Sequence, residues 1–219
     1  MSAHVGADGS GAATPVVHVV LRPLATPMPL GFLGQAVASW AFACLQLSWL
    51  STGETHTVAL GVLVFTVPLQ AVAAVLGFLG RDPVAATGTG LLAGGWAVVA
   101  AASLMAPSGA MSPGLGVLAV GIAATLLLPT IAALSRLAAA AVFVLSAARF
   151  AVLGVAEIPR SQSWLHVDGW VGLVLSATSV YAAAAFELEA ATGRVWLPVG
   201  RTGSRPDDPL GEPGVRPSL

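Results

Sequence analysis

The sequence contains no lysine and only one cysteine, and charged side chains of either sign are scarce. Nine arginines and ten acidic residues give a formal net charge of −1, so the charge balance does not indicate nucleic-acid binding. Because Cys44 is the single cysteine, the sequence cannot form an intrachain disulfide, a thiol pair or a cysteine-based metal site. The four histidines show no metal-ligand spacing, and no nucleophile elbow or Walker loop is present. We therefore expect neither an enzyme nor a site for a cofactor or metal.

Hydrophobic residues are abundant where charged residues are missing. They make up 56% of the 219 positions, and charged residues make up 9%, whereas soluble domains carry about a quarter charged residues. The mean hydropathy is +0.86. A water-exposed surface cannot be built from this composition, which predicts an integral membrane protein.

The two ends of the chain differ from the middle. Residues 1–25 are rich in Gly, Ala, Ser and His and lack the basic start of a signal peptide. Residues 201–219 carry Pro, Gly, Asp, Glu and Arg with few large apolar side chains, a composition typical of disorder. We predict a flexible N-terminal tail, a transmembrane transporter domain over residues 26–200 and a disordered C-terminal tail.

Six apolar runs are long enough, at roughly 20 residues, to cross the hydrocarbon of a bilayer. The runs are Gly31–Leu50, Thr57–Leu79, Pro83–Leu104, Pro113–Leu134, Leu137–Val155 and Trp164–Glu187. Each must be helical, because only then are its backbone groups satisfied in lipid. The sequence thus predicts an all-α, polytopic protein of six antiparallel transmembrane helices.

Arginine placement predicts the orientation of these helices. One side of the six-helix arrangement carries most of the loop arginines, namely Arg22, Arg81, Arg136, Arg194, Arg201, Arg205 and Arg216. Only Arg160 falls on the other side. Since cytoplasmic loops retain cations, both termini are expected in the cytoplasm, with the protein spanning the plasma membrane. Most tryptophans lie near predicted helix ends, but Trp40 and Trp96 fall deeper and require another explanation, such as helix packing.

The stretch Thr26-Pro-Met-Pro-Leu-Gly-Phe32 precedes the first run. Pro27, Pro29 and Gly31 disturb regular backbone bonding there, and free N–H groups at a helix start attract carboxylates. An ordinary helix start explains the same residues, because proline is favoured in the first turn. Both interpretations stay open on these residues alone.

Three motifs resemble those of the acetate uptake transporter family. Pro27, Pro29, Leu30 and Gly31 match its Asn-Pro-Ala-Pro-Leu-Gly signature, with Thr26 in place of the asparagine. A second stretch, from Gln70 to Trp96, matches the family's motifs without a gap and includes Thr87. In this stretch Asp82 stands where the family has an asparagine. A third match starts at His166 and continues through Gly169, Trp170, Gly172, Tyr181, Gly193, Arg194, Leu197, Pro198 and Gly200.

The resemblance implies a divergent succinate or acetate permease. Such proteins take up short carboxylates with protons through six-helix protomers, commonly assembled as hexamers with one pore per protomer. The expected partners are therefore a small carboxylate, protons, the lipid bilayer and further copies of the chain. A passive channel for small solutes and a structural or regulatory membrane protein without transport are the alternatives.

Several residues inside the predicted helices are candidates for the solute path. Gln70 needs a partner in hydrocarbon, which an interhelical hydrogen bond or the solute could supply. Ser176 and Ser179 lie one turn apart on one face. The small residues between Ala85 and Gly95 permit close helix packing or, with Thr87, could widen a pore wall.

Arg149 lies within the fifth run, where a cation is costly unless it is paired or hydrated. A substrate carboxylate could be its partner, as could Glu157 or Asp168. Alternatively, its long side chain could reach the interface with water.

The resemblance also locates a constriction. The family narrows its pore with bulky apolar side chains, and alignment places these positions at Gln35, Leu92 and Ser146. Two of the three are polar here, so we expect a wider or wetter gate that admits a solute larger or more polar than acetate. If the alignment in the fifth run is shifted by one residue, Ser146 would merely bond a backbone carbonyl.

Overall fold

The structure is a computed structural model that describes residues 25–201. The two predicted tails lie, apart from Ala25 and Arg201, outside the described residues. Among these described residues, six helices are long and apolar enough to cross a membrane. They are Met28–Gln46, Thr52–Leu79, Pro83–Met105, Pro113–Ala132, Leu137–Glu157 and Gln162–Thr192, and we call them the first to the sixth helix. The prediction of an all-α membrane protein with six spanning helices is confirmed.

The ends of the first helix differ from the predicted ends. The helix begins at Met28 instead of Gly31, because Pro29 fits in the first turn of a helix. It ends at Gln46, and the following Ser48 has a positive φ of 61°, so the apolar residues up to Leu50 form a turn. The predicted helix continued to Leu50 because the prediction used apolar character alone.

The second helix changes its winding in the middle. A π-helical segment, Val62–Thr66, separates the α-helical parts Thr55–Gly61 and Val67–Leu79. Pro68 follows this segment and has no N–H to bond the preceding turn. The wider turn absorbs that defect, and both Thr66 and Gln70 are fully buried in the bundle.

The first helix lies at the centre of the bundle. It packs against the second, third and sixth helices, and Phe32 contacts Phe143 of the fifth helix with ring centroids 5.7 Å apart. The fourth helix packs mainly against the fifth and also contacts the third. Polar side chains on the inner faces of the first helix can therefore meet partners from four neighbouring helices.

Glycines in the third helix accommodate aromatic rings from the fifth. A Cβ atom at Gly95 would lie 2.8 Å from Cζ of Phe150, and one at Gly88 would overlap the ring of Phe143. Close packing within the chain is thus the role of these two small residues. Thr87 points away from the bundle and donates a hydrogen bond to Pro83 O, so the suggestion that it helps widen an internal pore wall is wrong.

The final described segment packs against the end of the bundle that carries most of the loop arginines. Leu137 N donates to Gly200 O and Ala138 N donates to Val199 O, both at 3.1 Å. These bonds satisfy two N–H groups at the start of the fifth helix that have no partner within the helix. At the same end, Arg136 Nη1 lies 2.7 Å from Asp82 Oδ2.

Candidate functional site

The buried face of the first helix carries a row of polar side chains. Gln35, Ser39 and Gln46 are all buried, and Phe42 lies between the last two on the same face. Gln46 lies 11 positions after Gln35, which corresponds to about 16 Å along the helix. The row extends from the middle of the bundle toward the end that bears the loop after Gln46.

Four residues from four helices form what we call the midspan cluster: Gln35, Gln70, Trp96 and Ser146. Gln35 Oε1 accepts hydrogen bonds from Trp96 Nε1 at 2.7 Å and from Gln70 Nε2 at 3.0 Å. Gln35 Nε2 lies 3.3 Å from the hydroxyl oxygens of Ser146 and Ser39. All four members are 2% exposed or less, so the cluster is an internal hydrogen-bonded network.

The direction of each amide in the midspan cluster follows from its neighbours. An indole N–H can only donate, so Trp96 requires the carbonyl oxygen of Gln35. That oxygen in turn requires an N–H from Gln70, and Gln70 Nε2 also lies 3.4 Å from Gly31 O. Gln70 Oε1 consequently points elsewhere and has no hydrogen-bond partner among the described residues.

Ser146 does two things that the sequence had presented as alternatives. Its hydroxyl donates to Val142 O at 2.7 Å, and its oxygen accepts from Gln35. The contact with Gln35 brings together two of the three positions predicted to form a constriction. Leu92, the third position, is fully buried in the third helix.

A cavity of about 470 Å³ opens at the end of the bundle opposite to the final described segment. We call it the vestibule. Its walls include the loop after the first helix and the connection between the third and fourth helices, and Phe42, Trp96 and Phe150 line it too. The ring centroid of Trp96 lies 5.5 Å from that of Phe42 and 5.7 Å from that of Phe150. Trp96 therefore belongs to both the vestibule and the midspan cluster.

Arg149 lines the vestibule and is 2% exposed. Its Nη1 donates to Ser39 O at 2.8 Å and its Nη2 to Gln46 Oε1 at 3.2 Å, while its Cζ lies 5.2 Å from the centroid of the Trp96 ring. The interpretation that this side chain reaches the interface is wrong, because these contacts turn it inward between helices.

Asp168 of the sixth helix is the acidic partner of Arg149. Its Oδ2 lies 3.8 Å from Arg149 Nε and accepts from Gln46 Nε2 at 2.5 Å. Asp168 Oδ1 has no hydrogen-bond partner among the described residues, although it is fully buried. Glu157, which also lines the vestibule, does not bond Arg149 among the described contacts. Its Oε2 accepts a hydrogen bond from Ser112 N at 2.6 Å, and this bond links the end of the fifth helix to the start of the fourth.

The two serines predicted on one face of the sixth helix do share a buried face. Ser176 Oγ donates to Ala36 O of the first helix at 2.9 Å. Ser179 is fully buried, and its Oγ has no hydrogen-bond partner in the described part of the chain. Both serines thus lie on one buried face of the sixth helix, and their place in a solute path stays a prediction.

The start of the first helix offers few groups to an anion. Pro27 and Pro29 lack N–H groups, and Gly31 N already donates to Pro27 O at 3.3 Å. A Cβ atom at Gly31 would lie 2.5 Å from Cγ2 of Thr89, so this glycine is required for packing. Thr26 and Leu30 are only partly buried at this end. The local geometry favours an ordinary helix start over a carboxylate site.

Sequence reasoning missed Ser39 and Gln46. Both follow Gln35 at helical spacing, four and eleven residues later, so the period of the first helix could have revealed them. Trp96 was noted as unusually deep, and packing explains it. Trp40 instead faces outward, with its ring centroid 6.2 Å from that of Trp49. Within residues 25–201, no group of three or more histidine, cysteine or carboxylate side chains is placed to hold a metal ion.

Comparison with known proteins identifies the fold. No protein-family model and no curated protein sequence matches this chain. The chain is similar to the solved structure of the bacterial acetate channel SatP, with a TM-score of 0.71 and 23% sequence identity. The match covers 81% of this chain and 99% of that channel. The chain therefore shares its fold with that channel.

Proposed function

We propose that this protein is a divergent acetate uptake transporter that moves small carboxylates across the plasma membrane. The likeness to an acetate channel supports this proposal, as do the three sequence motifs in their expected order. The observation that carries it is the guanidinium of Arg149 in the vestibule. A buried cation that faces a cavity is a suitable first binding site for an anion.

The geometry of Arg149 leaves donors for a solute. A guanidinium has five N–H groups, and the described hydrogen bonds use those to Ser39 O and Gln46 Oε1. These two bonds hold the group at its edges. Asp168 balances its charge from ion-pair distance without a hydrogen bond to Nε. A carboxylate can therefore approach Arg149 without first breaking a direct hydrogen bond to Asp168.

The route inward passes Trp96 and reaches the midspan cluster. Gln35 and Ser146 stand where the family has bulky apolar side chains, and an amide and a hydroxyl keep water in a narrow passage more readily than apolar groups do. We expect Leu92 to supply the remaining apolar wall. Ser176 and Ser179 place further hydroxyl groups along the sixth helix beside the same central helix.

The proposal includes proton-coupled transport and assembly into a hexamer, as the family resemblance implies. It also places both termini in the cytoplasm. The ends of the described chain and the loop arginines Arg81, Arg136, Arg194 and Arg201 lie at one end of the bundle, and Arg160 lies at the other. By the positive-inside rule, the vestibule then opens outward.

Uptake into proteoliposomes tests the proposal. Labelled acetate and succinate, with a neutral solute as control, are supplied under an imposed pH gradient. We expect carboxylate uptake that rises with the inward proton gradient and falls at least tenfold in Arg149→Gln. Arg160→Gln removes an exposed charge at the same end of the bundle and should leave uptake unchanged. Equal carboxylate uptake by Arg149→Gln and the parent would contradict the role of Arg149.

A passive channel is the second candidate, because the similar solved structure is that of a channel. Carboxylate flux that follows its own concentration gradient and ignores the pH gradient would favour it. Absence of any solute flux from correctly folded protein would instead favour a structural or regulatory role.

A further inference from the structure

Three buried polar atoms have no hydrogen-bond partner among residues 25–201: Gln70 Oε1, Asp168 Oδ1 and Ser179 Oγ. Two of them, the amide and carboxylate oxygens, are pure acceptors. One belongs to Gln70 of the midspan cluster, and the other belongs to Asp168, a residue that lines the vestibule. A buried acceptor without a donor is unfavourable, and such groups in a native structure call for an explanation.

Acetate does not satisfy these acceptors. Its carboxylate has acceptor oxygens and its methyl group is apolar, so the anion offers no hydrogen to Gln70 or Asp168. The acetate anion therefore leaves both oxygens without a donor. The two acceptors instead suit a solute that carries a hydrogen-bond donor.

We propose that the preferred solute is a small hydroxycarboxylate, whose hydroxyl group donates to Asp168 Oδ1 in the vestibule and to Gln70 Oε1 at the midspan cluster. This inference rests on the proposed function and specifies its substrate class. The carboxylate of such a solute would bind Arg149, as described above.

The vestibule places a donor group and an acceptor group side by side. Arg149 Nε and Asp168 Oδ2 are 3.8 Å apart, and the second carboxylate oxygen is free of described partners. Gln46 holds both side chains, because its Oε1 accepts from Arg149 and its Nε2 donates to Asp168. A 2-hydroxycarboxylate has its carboxylate and hydroxyl on adjacent carbons, which matches a cation and an acceptor that are adjacent in space.

The midspan cluster also contains an acceptor that suits a hydroxyl group. Trp96 determines the direction of the Gln35 amide, and Gln35 determines that of Gln70. The described donors of the cluster are bonded to protein atoms, including Ser146 to Val142 O. The cluster therefore holds one buried acceptor that its own donors leave unpaired, and we expect a solute that passes Trp96 to satisfy it with a hydroxyl group and not with a second carboxylate.

An amino acid also carries a donor, but its ammonium group fits the site less well. Close to Asp168 it would lie beside the Arg149 guanidinium, so two cations would share one carboxylate. At the midspan cluster, the described partners would offer one neutral oxygen to an ammonium group in a buried environment, and desolvation of that charge is costly. A neutral hydroxyl group needs only one acceptor at each place.

Competition between matched solutes tests the inference. Glycolate is acetate with one added hydroxyl group, and lactate has the same relation to propionate. In proteoliposomes of the parent protein, we expect glycolate uptake to exceed acetate uptake about fivefold at equal low concentration, since one additional buried hydrogen bond is worth about a factor of five to ten. Lactate should exceed propionate by a similar factor. Empty liposomes give the background to subtract.

Two variants test whether Gln70 contributes to the preference for glycolate over acetate. Gln70→Met removes one of the two free acceptors at similar volume, and the ratio of glycolate to acetate should fall clearly below that of the parent, with any remaining preference due to Asp168 Oδ1. Thr125→Val removes a hydroxyl group from the outer surface of the fourth helix, and its ratio should equal that of the parent. If Gln70→Met does not fold, the uptake of lactate relative to propionate in the parent protein still tests the preference for a hydroxycarboxylate.

The outcomes separate this inference from the proposed function. Uptake of acetate and glycolate at equal rates would overturn the hydroxycarboxylate preference and indicate that water satisfies the two acceptors, while carboxylate transport would stand. Failure of the parent protein to carry either anion would reject the proposed function itself. An unchanged ratio in Gln70→Met would overturn the role of Gln70.

Discussion

Gly172 of the sixth helix controls the position of Arg149, and its replacement by alanine is a sharp test of the site. A Cβ atom at Gly172 would lie 2.6 Å from Cζ and 2.9 Å from Nη2 of the Arg149 guanidinium. Contacts below 3.0 Å are not tolerated, so the guanidinium must move. Its bonds to Ser39 O and Gln46 Oε1 hold two of its nitrogen atoms, so we expect the movement to lengthen at least one of them.

The size of the effect follows from those bonds. A hydrogen bond that involves a charged group contributes about 2 kcal/mol, which corresponds to about a 30-fold change in an equilibrium constant. If displacement of Arg149 costs one such bond in the carboxylate-binding arrangement, Gly172→Ala should raise the half-saturating carboxylate concentration by about 30-fold. Uptake kinetics in proteoliposomes measure this value.

Gly94→Ala is the matched control for this prediction. A Cβ atom at Gly94 would meet no described atom within 4 Å. Both substitutions replace glycine by alanine inside a helix, which by itself favours the helix by about 1 kcal/mol. A loss confined to Gly172→Ala therefore cannot come from weakened helix formation. An unchanged half-saturating concentration in Gly172→Ala, with normal thermal unfolding in detergent, would refute the placement of Arg149 as the carboxylate site.

Two further predictions concern stability and are read from unfolding in detergent. Asp168→Asn removes the counter-charge of a buried guanidinium and should lower the free energy of unfolding by about 3 kcal/mol. The double variant Asp168→Asn with Arg149→Met should regain most of that loss, because no buried charge is then left unpaired. If the losses in the two single variants simply add, the two side chains do not interact. Gly88→Ala forces a Cβ atom into the ring of Phe143 and should cost about 1–3 kcal/mol, with recovery when Phe143→Leu makes space. Equal stability of Gly88→Ala and the parent would contradict the close packing of the third and fifth helices.

Arg149 shows where sequence reasoning reached its limit. Its position in an apolar run identified a cation that needs a partner, but the sequence left the solute, two carboxylates and the aqueous interface as candidates. The choice depends on the rotation of the fifth helix about its axis, because a rotation of less than half a turn exchanges an inward for an outward direction. Packing of the Phe143 and Phe150 rings against Gly88 and Gly95 sets that rotation.

Thr87 and Ser176 show that the sequence could not predict which way a polar side chain points. Each lies in a predicted helix and each was a candidate for the solute path. Thr87 proves to face outward, whereas Ser176 faces the first helix and bonds Ala36 O. In lipid, both faces of a helix can be apolar, so the contrast between polar and apolar faces that orients a helix in water is weak here. Local sequence therefore could not distinguish these two positions.

The sequence by itself determined the class of the protein, the number of its membrane helices and the resemblance of its motifs to one transporter family. The class and the helix number depend on composition and on the length of apolar runs, because lipid forces each spanning segment to satisfy its own backbone. The resemblance depends on the individual residues of three short motifs. Only the tertiary structure decided that Gln35, Gln70, Trp96 and Ser146 meet, and that Arg149 turns toward Asp168. Those contacts join different helices across the bundle, and long-range packing sets them rather than any local pattern.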